Sequence, residues 1–169
     1  ILDIVNKYFG MLVKLFYLNA WITFKSREQK NSQYWHRDPE DVCVIKIFVY
    51  MNDVNDKNGP FTYAPGTHVH GNIKKKPKVF MEKDTSARRS KDEDFEEIIS
   101  KNSWNIVTGK KGTIIIADTV GWHKGGFVEK GERRIIQAIF TGSQPRRKRI
   151  LKLERNFRID GYTYNNLIK

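Results

Sequence analysis

Nine consecutive residues, Val42-Cys43-Val44-Ile45-Lys46-Ile47-Phe48-Val49-Tyr50, are apolar almost throughout, rich in β-branched and aromatic side chains, with Lys46 the single charged member. A run of this kind without alternation fits a central strand covered on both faces, because a strand with one wet face carries polar residues at every second position. Such a strand needs neighbours, and the rest of the chain supplies them. A short strand is read at 61–64, between a turn-rich connection and Pro65-Gly66, with further strands at 112–117 and 133–141. Residues 19–25 alternate, placing Asn19, Trp21, Thr23 and Lys25 on one face and Ala20, Ile22 and Phe24 on the other, so that the polar set faces a cavity. Ahead of these, Ile1 to Phe16 carries apolar residues at helical spacing, with Gly10 as a break or bend. A leading helix followed by many short strands on turn signals is a mainly β sandwich or barrel, and 169 residues suffice for one domain.

Composition narrows the setting. With 31 Lys and Arg against 19 Asp and Glu the net charge is +12, which draws anionic ligands without naming one. Cys43 is the only cysteine, so an internal disulfide and a multi-thiolate zinc site are excluded, as expected of a reducing compartment; the cytoplasm is the expected location. Asp3, Lys7 and Lys14 interrupt the apolar N-terminal stretch well short of a membrane span. Residues 71–111 form a long, charged, poorly periodic excursion with basic clusters at Lys74-Lys75-Lys76, Arg88-Arg89 and Lys110-Lys111. Two readings stand for it, a lid or binding loop and a solvated surface insertion. Within it a helix is expected from Ser90, with Glu93 completing a capping box and Phe95, Ile98 and Ile99 as its buried side. The cluster at 145–149 reads as a solvated basic face.

The chemistry rests on a few residues. His36 and Asp38 are two apart on an extended segment, so both side chains leave one face and can reach one point. His123 follows the apolar strand 113–117 and delivers a second imidazole from a distant stretch. Two histidines and a carboxylate make the facial set of non-haem Fe(II) oxygenases, which leaves coordination positions open for co-substrate and O₂. The plain alternative is a hydrogen-bonded surface pair and a loop histidine. A 2-oxo acid also needs a cation for its far carboxylate, and the planar fork of Arg133 suits that bidentately; a register slip of one would bring Arg134 inward instead. His68 and His70 form a second His-x-His pair but lack a nearby carboxylate, so His68 reads as a packed turn residue and His70 as exposed. Lys46 is costly to bury unpaired and has to meet an acidic side chain or a ligand carboxylate.

The ordered blocks Trp35-His36-Arg37-Asp38, Lys46 to Val54, Asn58 to His68, Ala117-Asp118-Thr119, His123-Lys124-Gly125-Gly126 and Gly131-Glu132-Arg133 resemble the phytanoyl-CoA dioxygenase family over about 19–143. The resemblance implies a double-stranded β-helix, or jelly roll, with supporting helices at the N-terminus and in the insertion. It implies Fe(II) held by His36, Asp38 and His123, with 2-oxoglutarate anchored by Arg133 and O₂ consumed in a hydroxylation that releases succinate and CO₂. Asp38 speaks against halogenating relatives, which carry a small residue there. Two departures leave the ligands intact: Arg37 stands where the family usually has Gln, and Thr67 where it has Ser. Asn19 and Thr23 either contact 2-oxoglutarate from the facing strand or are satisfied core polar groups.

The substrate expected is a small molecule, with an anionic one preferred from the basic charge. Two rivals remain: a catalytically idle basic module that binds nucleic acid, and an oxygenase acting on a macromolecule. The 145–149 cluster lacks the interleaved aromatics that single-strand binding uses, which tells against the first.

Overall fold

The computed structural model describes residues 1–78 and 89–147. The centre of the 71–111 excursion, Arg88 included, and Lys148-Arg149 of the basic cluster lie outside the described residues.

Helix α1 covers Leu2–Phe9 and ends at Gly10, whose φ of 67° and bond to the Asn6 and Lys7 carbonyls form a left-handed cap. The helix ends at the Gly10 break and does not resume through Phe16 in the way the apolar spacing predicts. Beyond the cap the chain turns and enters strand β1, Lys14–Phe24, because the left-handed cap leaves no helical hydrogen bond for the chain to follow. Strands β2 (Ile45–Tyr50), β3 (Phe61–Tyr63), β4 (Asn105–Val107), β5 (Ile114–Asp118), β6 (His123–Gly125) and β7 (Glu132–Thr141) follow, with a five-residue helix α2 at Asp92–Glu96 between β3 and β4. They make two antiparallel sheets, β1-β7-β2-β5 and β4-β3-β6, the facing sheets of a double-stranded β-helix.

Strand β2 is interior, pairing β7 on one edge and β5 on the other, and it is buried along nearly its whole length as its composition predicts. Val42 and Cys43 do not belong to it: Val42 is exposed and Cys43 half-buried. Phe48, Tyr50, Phe61, Ile115 and Ile135, drawn from both sheets, form the core between them, with Trp21 packed against it. The alternation of β1 holds through Phe24, with Asn19, Trp21 and Thr23 half-buried and Leu18, Ile22 and Phe24 outward; Lys25 lies past the strand and is exposed.

A second cluster sits at one end of the sandwich. Phe95 stacks on Trp35 at 4.0 Å between centroids, and Trp104, Trp122 and Ile99 close around them. This buried side of α2 agrees with the sequence, but the capping box does not form. Ser90 is engaged in a bridge with Trp35, exchanging both backbone hydrogen bonds at 2.9 Å, so Lys91 takes the cap position. Among the described residues no helix is long and apolar enough to cross a membrane.

Candidate metal centre

His36 reaches the site on an extended segment pinned by its own backbone. Its N–H donates to the His123 carbonyl at 3.0 Å, and the His123 N–H returns to the His36 carbonyl at 3.1 Å. The two imidazoles therefore stand on paired residues, 4.3 Å between ring centroids. Asp38 is fixed by its N–H donating to the Thr119 carbonyl at 2.9 Å, which draws the carboxylate to the same point two residues on. Ligand atoms of His36, Asp38 and His123 all lie within 4.8 Å of one another. The three residues singled out from spacing thus converge.

Their protonation suits a cation. His36 Nδ1 is 2.8 Å from the Tyr34 carbonyl and His123 Nδ1 is 3.0 Å from that of Gly121, contacts that need the proton on Nδ1 and leave Nε2 as a lone-pair donor. Burial, then the neighbouring His123, pull His36 down to about 3, and burial likewise lowers His123, so both rings are neutral near pH 7. For Asp38 burial acts upward, but the facing His123, Lys46 and His36 outweigh it and hold the carboxyl at about 2. Two neutral imidazoles and one carboxylate, all poor in solvent contact, match the requirements of a divalent transition metal with N₂O ligation.

Lys46 resolves differently from Asn19 and Thr23. Only 8% exposed on β2, it places Nζ 2.6 Å from Asp38 Oδ2, so its acidic partner is the carboxylate of the metal site itself. Arg133 is 4% exposed and points inward, while Arg134 is outward and paired with Glu132 at 2.6 Å, which settles which of the two arginines looks into the core. The Arg133 guanidinium donates to the Gly59 carbonyl, and its Nε is buried with no hydrogen-bond partner. Gly125 leaves the space beside it: a Cβ there would come within 2.7 Å of the guanidinium. Asn19 and Thr23 do not line the pocket that Arg133 enters. The Asn19 side-chain oxygen accepts the Ala20 N–H at 2.8 Å, and Thr23 stands opposite Arg133 in the β1–β7 register.

That pocket is about 50 Å³, with His36, His123, Lys46, Arg133, Phe48 and Gln137 among its walls. It has room for a few water molecules. Sequence reasoning gave Gln137 and Phe48 no role in it, for which the inward side of β7 and β2 was the available signal; Trp21, read on the cavity-facing side of its strand, does line the pocket. A larger cleft of about 1050 Å³ opens from His36, Asp38 and Lys46, and its lining includes Lys76, Arg89, Arg146 and Arg147 together with Glu40 and Asp41. His68 is half-buried with Nδ1 accepting the His70 N–H at 3.1 Å, and His70 is exposed; neither approaches the site's ligands.

Comparison with known proteins agrees with this geometry. The family described as phytanoyl-CoA dioxygenase (PhyH) matches residues 5–135. No curated protein matches. Among solved structures, EctD from S. alaskensis with 2-oxoglutarate and 5-hydroxyectoine superposes with a TM-score of 0.56 at 21% identity, covering 83% of this chain and 48% of that one. The epimerase SnoN in complex with Fe3+, alpha ketoglutarate and nogalamycin RO gives 0.59 at 15%, covering 85% and 55%, and the non-heme monooxygenase ThoJ gives 0.57 at 18%, covering 85% and 52%. These likenesses concern the fold, and the chain spans about half the length of each of these structures.

Proposed function

Because the chain belongs to the phytanoyl-CoA dioxygenase family, we propose that it is a non-haem Fe(II)- and 2-oxoglutarate-dependent dioxygenase that hydroxylates a small, anionic substrate. The observation that carries this reading is the convergence of His36, Asp38 and His123 within 4.8 Å, at the end of a buried pocket that Arg133 enters. His36 and His123 would hold the metal through Nε2 and Asp38 through its carboxylate. Iron(II), when bound, supplies the redox chemistry with O₂ that attacks a C–H bond.

The chain's own part is binding, orientation and exclusion of water. Arg133 is the anchor for the far carboxylate of 2-oxoglutarate: its Nε lacks a partner in the buried pocket, and a carboxylate supplies the missing acceptor. Thr23 stands level with Arg133 on the neighbouring strand but off the pocket wall, and Asn19, turned to its own backbone, contributes to the strand and not to the ligand. Substrate approaches through the larger cleft, whose cations outnumber its acids, and this favours a carboxylate- or phosphate-bearing molecule.

Anaerobic addition of Fe(II) and then 2-oxoglutarate tests the assignment through the weak visible metal-to-ligand band. The native chain develops the band and His36→Ala and Asp38→Ala do not. A native chain without it, or variants that keep it, removes the proposal. Turnover that depends on substrate size separates a metabolite from a macromolecular substrate.

A further inference from the structure

Lys46 is a charged residue where the core composition of β2 calls for an apolar one, and a chain does not bury an ammonium without a use for it. Its partner is the oxygen Asp38 Oδ2, the same oxygen that lies 3.5 Å from His123 Nε2 and so faces the other donors of the site. Lys46 meets that oxygen at 2.6 Å in a setting nearly closed to solvent, so the ammonium and a metal would claim the same acceptor. With Ser32 and His36, Lys46 borders both the inner pocket that Arg133 enters and the outer cleft.

We propose that Lys46 is the positioning cation of this centre: it occupies the metal-facing oxygen of Asp38 before a metal arrives, yields that oxygen to the metal, and then turns its ammonium to the metal-proximal carboxylate of the 2-oxo acid. The inference rests on the functional reading above and goes beyond it. A divalent ion and an ammonium compete for one carboxylate oxygen and repel each other across a buried gap, so Lys46 weakens metal binding in the absence of co-substrate. Once the 2-oxo acid brings two negative charges, one meets Arg133 and the other the metal and Lys46. The ammonium then favours the acid. A single residue thereby makes metal uptake and co-substrate uptake mutually supporting.

The consequence is a pair of effects of opposite sign, which a merely structural lysine would not produce. In Lys46→Met, Mn(II) titrated calorimetrically without co-substrate binds tighter, by roughly tenfold or more, because the competing charge is gone. The same variant, loaded with Mn(II), binds 2-oxoglutarate more weakly, by roughly ten- to a hundredfold, the loss of one charge-assisted contact. Lys46→Gln, which keeps a donor for Asp38 without the charge, gives the same pattern if the methionine variant does not fold, and Lys46→Arg restores both affinities towards the native values. Wild-type chain that binds both ligands, with neutral variants unchanged or weaker for both, overturns the role of Lys46 alone. Wild-type chain that binds neither overturns the functional reading together with it.

Discussion

The hydroxyl of Thr67 donates to the Ala64 carbonyl at 2.7 Å and accepts the Trp122 N–H at 2.8 Å, with the residue fully buried. That explains why a threonine serves where the family usually has serine: the hydroxyl, present in both, is the working part. Thr67→Ser should therefore be near neutral. Thr67→Val should cost about 1–3 kcal/mol by leaving the Trp122 N–H buried without an acceptor, read as a drop in the urea midpoint. The departure at Arg37 has a similar account, since its guanidinium donates to the Val120 carbonyl at 2.6 Å and to that of Thr67 and lies 5.5 Å over the Trp122 ring, tying the loop before β6 to the His36 segment. Arg133 is the residue most exposed to a functional test. Arg133→Lys keeps the charge but loses the planar fork, and the expected result is roughly ten- to a hundredfold weaker 2-oxoglutarate binding with Mn(II) affinity unchanged, followed by calorimetry. Equal loss of both affinities would point to a collapsed pocket and not to a missing anchor. His36, Asp38, His123 and Arg133 were legible because spacing on extended chain and the ordered motif blocks fix which face they share. The Lys46–Asp38 pair was not, because it joins a strand to a loop whose register is set only by tertiary packing.

At the level of elements, the strands with long apolar runs could be read directly and the short β3 from the turns that flank it, whereas β4 and β6 could not. Strands β4 and β6 have three residues each, and Ile106 in β4 is 48% exposed, so neither carries a burial pattern that a sequence could display. The helix that overran Gly10 has a related cause: Leu12, Leu15 and Phe16 continue a helical spacing by chance after the backbone has turned, and only the left-handed φ of Gly10 breaks it. Helix α2 is too short to stand on its own hydrogen bonds. It is held by Phe95 on Trp35 and by Asp92, which accepts from Trp35 Nε1 at 2.9 Å and from Lys124 Nζ at 2.6 Å. Trp35 and Lys124 are the sequence neighbours of His36 and His123. Phe95→Ala should thus lower stability by about 3–5 kcal/mol and also weaken Mn(II) binding, whereas the same truncation at exposed Ile106 should leave metal affinity as it is. Calorimetric Kd values for the two variants, compared with their thermal midpoints, decide it.

For the molecule as a whole the buried imidazoles set the response to acid. His36 is held near 3 against an ordinary value of 6.5, and His123 is lowered in the same direction, so the unfolded chain binds protons that the folded chain refuses. Stability is therefore complete above the unfolded value and falls as pH drops below about 6.5, by roughly 1.4 kcal/mol per pH unit for each histidine that stays neutral. Asp38, held at about 2 against 3.8, adds its own loss only below about pH 4. The thermal midpoint of metal-free protein should decline from pH 7 to 5, and Mn(II), which displaces no proton from rings that are already neutral, should raise the midpoint without removing that decline. A midpoint independent of pH over that range would contradict the burial of the two rings. The reciprocal hydrogen bonds between the backbones of His36 and His123 carry one last consequence. Because the spacing of the two nitrogen donors is inherited from strand pairing, chelation can strip the ion without erasing its coordination mould, and a demetallated sample can be recharged without passing through the unfolded chain.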